Sequence, residues 1–305
     1  MRRAEAALDW LVAQSEGTPF GGLVLHRGQV AAERLAHGFT AETRFEIGSI
    51  RKSINSALIG RALARGTLTP GLNAAEAWPD LVAISGDPRD RAITLAMLAT
   101  GTSGWLAPEG PGERFRYNNA AFTAAERVVA RAHGWAGDSI LAETRTALVE
   151  PLGLSSWHLY HFDRPFDPAR FEDPGPKLAV DSNLLDLARW GLLWAEGGGD
   201  LIPAEHVVRA TRPANPELDA CYGWNWYSNA EAAAWPAAAR DAFGHGGTAT
   251  FPDSGTAIRT FLWCCPSLSL VAAIVAIADV GIGRDRLVEP NGIRAGFTAR
   301  LCAGE

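Results

Sequence analysis

The stretches that read most clearly as buried strands lie at the two ends of this chain, separated by most of its length. Near the N-terminus, Gly21 to Leu25 and Gln29 to Leu35 are two strand-like runs joined by an Arg27-Gly28 turn. Near the C-terminus, Thr256 to Trp263 and Leu268 to Ile277 flank Cys265-Pro266-Ser267, and strand character also appears at Cys221 to Ser228 and from Gly244 onward. Between them the pattern is helical and broken by Gly/Pro loops, with helices expected over Ile93 to Thr100, Ala120 to His133, Ser139 to Leu148 and Leu184 to Ala195. Residues 1 to 17 and Pro290 to Leu301 read as terminal helices. Gly197-Gly198-Gly199 and Ala232 to Ala239 read as local loops. The order implies one sheet assembled from both ends of the chain, with a mainly helical lobe inserted between them. At 305 residues the chain exceeds what one compact core usually holds, which agrees with two lobes.

Bulk properties narrow the function. A net charge of −6, with no basic stripe interleaved with aromatics, argues against a nucleic-acid partner. The longest apolar run, Leu268 to Ile277, is too short to span a membrane. Cys221, Cys264, Cys265 and Cys302 lack the spacing of a metal site or a disulfide framework. Adjacent Cys264 and Cys265 are expected on opposite faces of one strand. His158 and His161 have no carboxylate helix motif beside them, so no metal or other cofactor is expected. Glu5 and Asp9 interrupt any secretory pattern at the N-terminus, so the expected compartment is the cytoplasm, or the periplasm if the chain is a trimmed mature form.

Of the 28 lysines and arginines only Lys52 and Lys177 are lysine, and Lys52 follows Ser49 by three residues. Arginine does not give up its proton, whereas a desolvated lysine can accept one. A helix is expected to begin at Ser49, where backbone N–H groups favour developing negative charge, and position 52 lies one turn further on the same face. From Ser53 to Gly60 no residue is charged, which suits a buried helix. The plainer alternative is an N-cap serine with a surface lysine. A second motif, Tyr117-Asn118-Asn119, precedes a helix; it could relay a proton and hold a carbonyl, or Asn119 could simply cap the helix while Tyr117 packs. A third, Gly244-His245-Gly246-Gly247-Thr248, opens a strand whose small residues allow close approach of a ligand, or mark a turn without function.

Together the three motifs resemble those of the serine β-lactamases and penicillin-binding-type hydrolases, especially the class C and esterase-like branch. The order S-x-x-K, Y-x-N and a variant of K-T-G is the same. The flanks also match: Phe45-Glu46-Ile47-Gly48 before Ser49, Leu98 to Gly104, Pro111 to Arg116, Pro151 to Leu154, Asp186 to Trp190 and Tyr222-Gly223-Trp224. The resemblance spans essentially the whole chain. It implies an α+β fold in which an antiparallel sheet, flanked by the N- and C-terminal helices, is formed by residues 1–48 plus 215–305. Residues 49–214 would form the mainly helical lobe, with the active site between the two. It further implies Ser49 as acylated nucleophile and Lys52 with Tyr117 sharing the base and acid work. Asn119 would hold the substrate carbonyl or amide, and the amides of Ser49 and Thr248 would form an oxyanion hole, with His245, Gly246 and Gly247 alongside.

His245 departs from the lysine usual at the head of the third motif in β-lactam-active members, which weakens the grip on a carboxylate near neutral pH. Trp105, Trp224 and Trp226 would line an apolar acyl pocket, or serve as ordinary core aromatics. The expected partner is a small ester or amide. A β-lactamase or D-Ala carboxypeptidase-like activity is the alternative, and a β-lactam sensor that does not turn over is a more remote one. Oligomeric state is left open. No G-x-S-x-G sequence supports an α/β-hydrolase.

Overall fold

The structure is a computed structural model; it describes residues 2–15, 17–136, 138–162, 177–219, 221–228, 236, 239–251, 254–279 and 293–303. Helix α1 (Arg2–Gln14) is followed by strands β1 (Phe20–His26) and β2 (Gln29–Ala36), then the short β3 (Phe45–Glu46). A 3-10 turn over Gly48–Arg51 leads into α2 (Lys52–Ala64). Three short helices follow, α3 (Ala74–Ala77), α4 (Asp80–Ser85) and α5 (Leu95–Ala99), and then α6 (Asn119–Ala132). Next come α7 (Ser139–Thr144), α8 (Glu150–Leu152), β4 (His158–Phe162), β5 (Lys177–Ser182), α9 (Leu184–Ala195) and α10 (Ala204–Ala210). The chain returns to strands with β6 (Tyr227–Ser228), β7 (Phe243–Phe251), β8 (Thr256–Cys265) and β9 (Leu270–Asp279), and α11 (Ile293–Cys302) is the last helix described.

Six strands form one antiparallel sheet in the order β2-β1-β9-β8-β7-β6. Strand β1 lies directly against β9, with Phe20 opposite Ala276, so both ends of the chain build the same sheet. Alternation along β8 assigns its two faces. Leu262 and Cys264 face the helical block, while Phe261, Trp263 and Cys265 pack with α1 and α11. The two adjacent cysteines therefore point in opposite directions: Cys264 Sγ approaches Gly191 O on α9, and Cys265 Sγ approaches Asp241. Among the described residues no helix is long and apolar enough to cross a membrane. Residues 290–292 of the expected last helix, and most of the loop expected at Ala232 to Ala239, lie outside the described residues.

Three features differ from expectation, the first being that the strand expected over Cys221 to Ser228 is reduced to β6 at Tyr227–Ser228, with an isolated bridge from Tyr222 to Tyr227. The helix expected to begin at Ser49 starts as an α-helix only at Lys52, because residues 48–51 turn more tightly. The block between the sheet strands also carries a second antiparallel sheet, β3-β5-β4, in which Phe45 pairs with Ser182 and His158 with Asp181. This small sheet braces the approach to the turn, since Ile47 N–H donates to Val180 O at 3.0 Å.

Helix α2 is buried from Lys52 to Gly60. Trp190 Nε1 donates to Ser53 Oγ at 2.8 Å, and Ser56 Oγ lies 3.1 Å from His206 Nε2. Gly60 is required at this crossing, as a Cβ there would sit 2.3 Å from the His206 ring. Burial, aided by Arg209, pulls the His206 pKa down from 6.5 to about 4. In the unfolded chain His206 takes up a proton as the pH falls through 6.5, but in the folded chain it does so only near 4, so acid favours unfolding across that window. His206 is expected to withdraw about 3 kcal/mol of stability between neutral pH and its folded pKa. Urea unfolding of wild type and His206→Gln measures this contribution as the difference in slope between about pH 4.5 and 7. Equal slopes would overturn the assignment.

Candidate active site

The 3-10 turn at Gly48–Arg51 is held on three sides. Glu46 Oε1 accepts from Gly48 N–H at 2.9 Å, the small sheet holds Ile47 N–H, and Thr260 Oγ1 of β8 donates to Ile47 O at 2.8 Å. Gly48 adopts φ +61°, the left-handed region that favours glycine, and a Cβ there would lie 2.5 Å from Thr248 N. A Cβ on Gly247 would lie 2.1 Å from both Ile47 O and Thr260 Oγ1. The third motif and the Ser49 turn are thus in backbone contact, and the glycines serve this chain-to-chain approach rather than an open ligand groove.

Lys52 is 2 % exposed, and its Nζ donates at 2.8 Å to both Ser49 Oγ and Asn119 Oδ1. The Tyr117 ring centroid lies 5.0 Å from Nζ and that of Phe122 5.5 Å. Asn118, not Asn119, caps α6: its Oδ1 accepts from Ala121 N–H at 3.0 Å while its Nδ2 donates to Trp105 O at 2.6 Å. Asn119 is thereby freed to turn its amide to the lysine, and Tyr117 is fixed just outside the helix.

On the opposite wall, His245 is buried on β7, with its ring centroid 6.1 Å from that of Tyr117. Its Nδ1 lies 2.7 Å from Gly246 O, which assigns the proton to Nδ1; Nε2 has no hydrogen-bond partner among the described residues. Burial first, and the Lys52 charge second, pull its pKa down to about 3, so the imidazole is neutral at physiological pH. Gly246 leaves room on the other face of the strand for Arg294, whose guanidinium a Cβ would meet at 2.1 Å. Burial lowers the Arg294 pKa to about 10, opposed by Tyr227 and Tyr117, and the group stays cationic.

Ser49, Lys52, Tyr117, Asn119, His245, Gly246, Gly247 and Thr248 are therefore brought to one place from three segments of the chain. Trp105, Trp224 and Trp226 are not part of an open acyl pocket. All three are buried in the main core. Sequence reasoning missed Tyr227, which stacks on Tyr117 at 6.2 Å and 14° and lies 5.4 Å from His245. It also gave no role to Tyr222, whose ring packs 4.8 Å from Tyr227 and whose hydroxyl has no partner among the described residues. Burial, then the neighbouring Tyr117, raises the pKa of both phenols, so they remain protonated. The only sequence signal was scarcity, with four tyrosines in the chain; that three of them meet here is visible only in the fold.

Solved structures share the fold. A beta-lactamase from Mycobacterium bovis is 19% identical with a TM-score of 0.66, over 90% of this chain and 92% of that one. The octameric penicillin-binding protein homologue from Pyrococcus abyssi is 16% identical with a TM-score of 0.67, over 89% of this chain and 72% of that one. A D-stereospecific amidohydrolase from Streptomyces sp. is 16% identical with a TM-score of 0.67, over 90% of this chain and 95% of that one. The sequence itself matches the beta-lactamase family model over residues 21–293, and so this chain belongs to the beta-lactamase family, whose members are generally serine hydrolases.

Proposed function

We propose that this protein cleaves esters or small amides through a covalent acyl-enzyme on Ser49. The observation that carries the reading is the buried Lys52 amine, 2.8 Å from the Ser49 hydroxyl and 2.8 Å from Asn119 Oδ1. In its neutral form that amine accepts the serine proton as Oγ bonds to the substrate carbonyl carbon. The carbonyl electron pair moves onto oxygen, where the amides of Ser49 and Thr248 stabilise it. When the tetrahedral carbon collapses, the C–O or C–N bond breaks, and the leaving group departs with a proton supplied by Lys52 or Tyr117. Water then repeats the sequence on the acyl-enzyme and releases the acid, restoring the serine. Asn119 orients both the lysine and the substrate carbonyl or amide. The scheme draws on no metal or cofactor.

The substrate is a small molecule. The neutral His245 offers little electrostatic hold on a carboxylate, which favours uncharged esters and amides. The structural likeness to a D-stereospecific amidohydrolase supports including small amides. A β-lactamase or D-Ala carboxypeptidase-like activity is the alternative, since every side chain that its chemistry uses is also present.

Intact-mass analysis with a fluorophosphonate is expected to find one adduct on the wild type and none on Ser49→Ala. With a β-lactam the adduct is expected to form slowly or not at all, while p-nitrophenyl esters turn over. Rapid acylation and fast release with the β-lactam would favour the alternative; an unlabelled wild type would overturn the nucleophile assignment.

A further inference from the structure

Between Ser49 and Lys52 sits a second cation whose side chain points away from the reaction. Arg51 is 4 % exposed, and its NH1 donates to Glu126 Oε2 at 3.2 Å while NH2 donates to Thr123 Oγ1 at 3.3 Å. The other oxygen of Glu126, itself 4 % exposed, accepts from Leu178 N–H of β5 at 2.8 Å. Asn119, Thr123 and Glu126 are spaced four and three residues apart along α6, so they share one face of that helix. Consecutive residues 51 and 52 therefore grip the same face of α6 at three heights: Lys52 at Asn119, Arg51 at Thr123 and Glu126.

A buried ion pair is weak evidence for stability, because desolvating both charges offsets most of their attraction and apolar residues of similar volume often do as well. What such a pair does impose is a single geometry. An apolar contact here would tolerate a shift of α6 along its axis; a guanidinium that must meet two helix residues, with the carboxylate also held by a strand amide, does not. The quantity so fixed is the placement of Asn119 and Tyr117 relative to Ser49 and Lys52.

We propose that Arg51 and Glu126 are positioning residues, a buried clamp that sets the register of α6 against the Ser49 turn so that the lysine amine meets Asn119 and Tyr117. The inference rests on the reading of Ser49 as nucleophile. Misplacement by about 1 Å at a reacting group can lower rate a hundredfold, so a partial loss of register is a measurable loss of turnover.

The test compares wild type with the double variant Arg51→Met/Glu126→Leu, which replaces the pair by apolar side chains of similar length. Expected is a kcat for ester hydrolysis at least about tenfold lower with KM within about twofold, read at a temperature where the variant is fully folded, since Glu126→Leu also leaves Leu178 N–H without its acceptor. Arg51→Lys, which keeps a cation within reach of Glu126, is expected to recover part of the lost kcat. A double variant with wild-type kcat would overturn the positioning role. Should the double variant not fold, Glu126→Gln carries the same comparison: the side-chain shape is kept and the grip on Arg51 is weakened. Its kcat is expected to fall about threefold or more, and an unchanged kcat would overturn the proposal. Fluorophosphonate labelling of the wild type separates the two readings. A labelled wild type with an unaffected double variant sinks the clamp alone, whereas an unlabelled wild type sinks the nucleophile assignment and the clamp with it.

Discussion

Lys52→Arg is expected to lower ester turnover about a thousandfold or more, close to the loss on Ser49→Ala, although it conserves charge and length. The reason is chemical. A guanidinium keeps its proton under any condition in which the protein folds, so it cannot take the proton of Ser49. It is also steric. The lysine amine occupies a closed site between Ser49 Oγ, Asn119 Oδ1 and the rings of Tyr117 and Phe122, and it is 2 % exposed. A planar fork cannot meet both oxygens with the geometry of a single nitrogen. Steady-state kinetics on p-nitrophenyl esters reads the effect, with Lys177→Arg on β5 as the matched control, expected within about twofold of wild type. Substantial activity in the Lys52 variant would end the assignment of Lys52 as base and shift that role to Tyr117.

The residues that meet at this site were legible in the sequence largely because each motif carries an unusual residue. One of only two lysines in an arginine-rich chain, a tyrosine beside two asparagines, and a glycine-rich strand opening all stand out locally. Much of the large sheet was legible for a similar reason, since β1, β8 and β9 are largely apolar runs bounded by turns. What escaped notice were features that exist only between distant segments. The small sheet pairs the two-residue β3 with β5, more than a hundred positions later, and two residues carry no periodicity to detect. Nothing local to Arg51 or Glu126 says that they will be buried against each other. The cap is Asn118 where the sequence suggested Asn119, a difference of one residue that lies within the ordinary spread of a helix boundary. The sequence leaves Trp105, Trp224 and Trp226 open between pocket and core, and in the fold all three are buried in the main core.

The Gly247 contact is a feature whose consequence can be measured sharply. Gly247→Ala is expected to lower turnover about a hundredfold and stability by about 3 kcal/mol, whereas Gly246→Ala, one residue away, is expected to do much less. Both glycines leave no free space for a methyl group, with a nearest atom 2.1 Å from the added Cβ in each case, so crowding alone does not separate them. What separates them is the identity of the neighbour. At Gly246 the obstacle is the end of the Arg294 side chain, which has several torsions with which to withdraw. At Gly247 the obstacles are Ile47 O and Thr260 Oγ1, and these two atoms are hydrogen-bonded to each other at 2.8 Å. Relief there requires moving the backbone of β7 away from the turn, because Ile47 is also tied to β5 through its amide. That movement takes Thr248 N away from Gly48, and with it the amide proposed to stabilise the oxyanion from beside Ser49. The kinetic loss should therefore fall on kcat more than KM and persist at temperatures where the variant is fully folded by circular dichroism. Wild-type kcat in Gly247→Ala would mean that the spacing between β7 and the serine turn is free to vary, and would remove Thr248 from the proposed oxyanion hole.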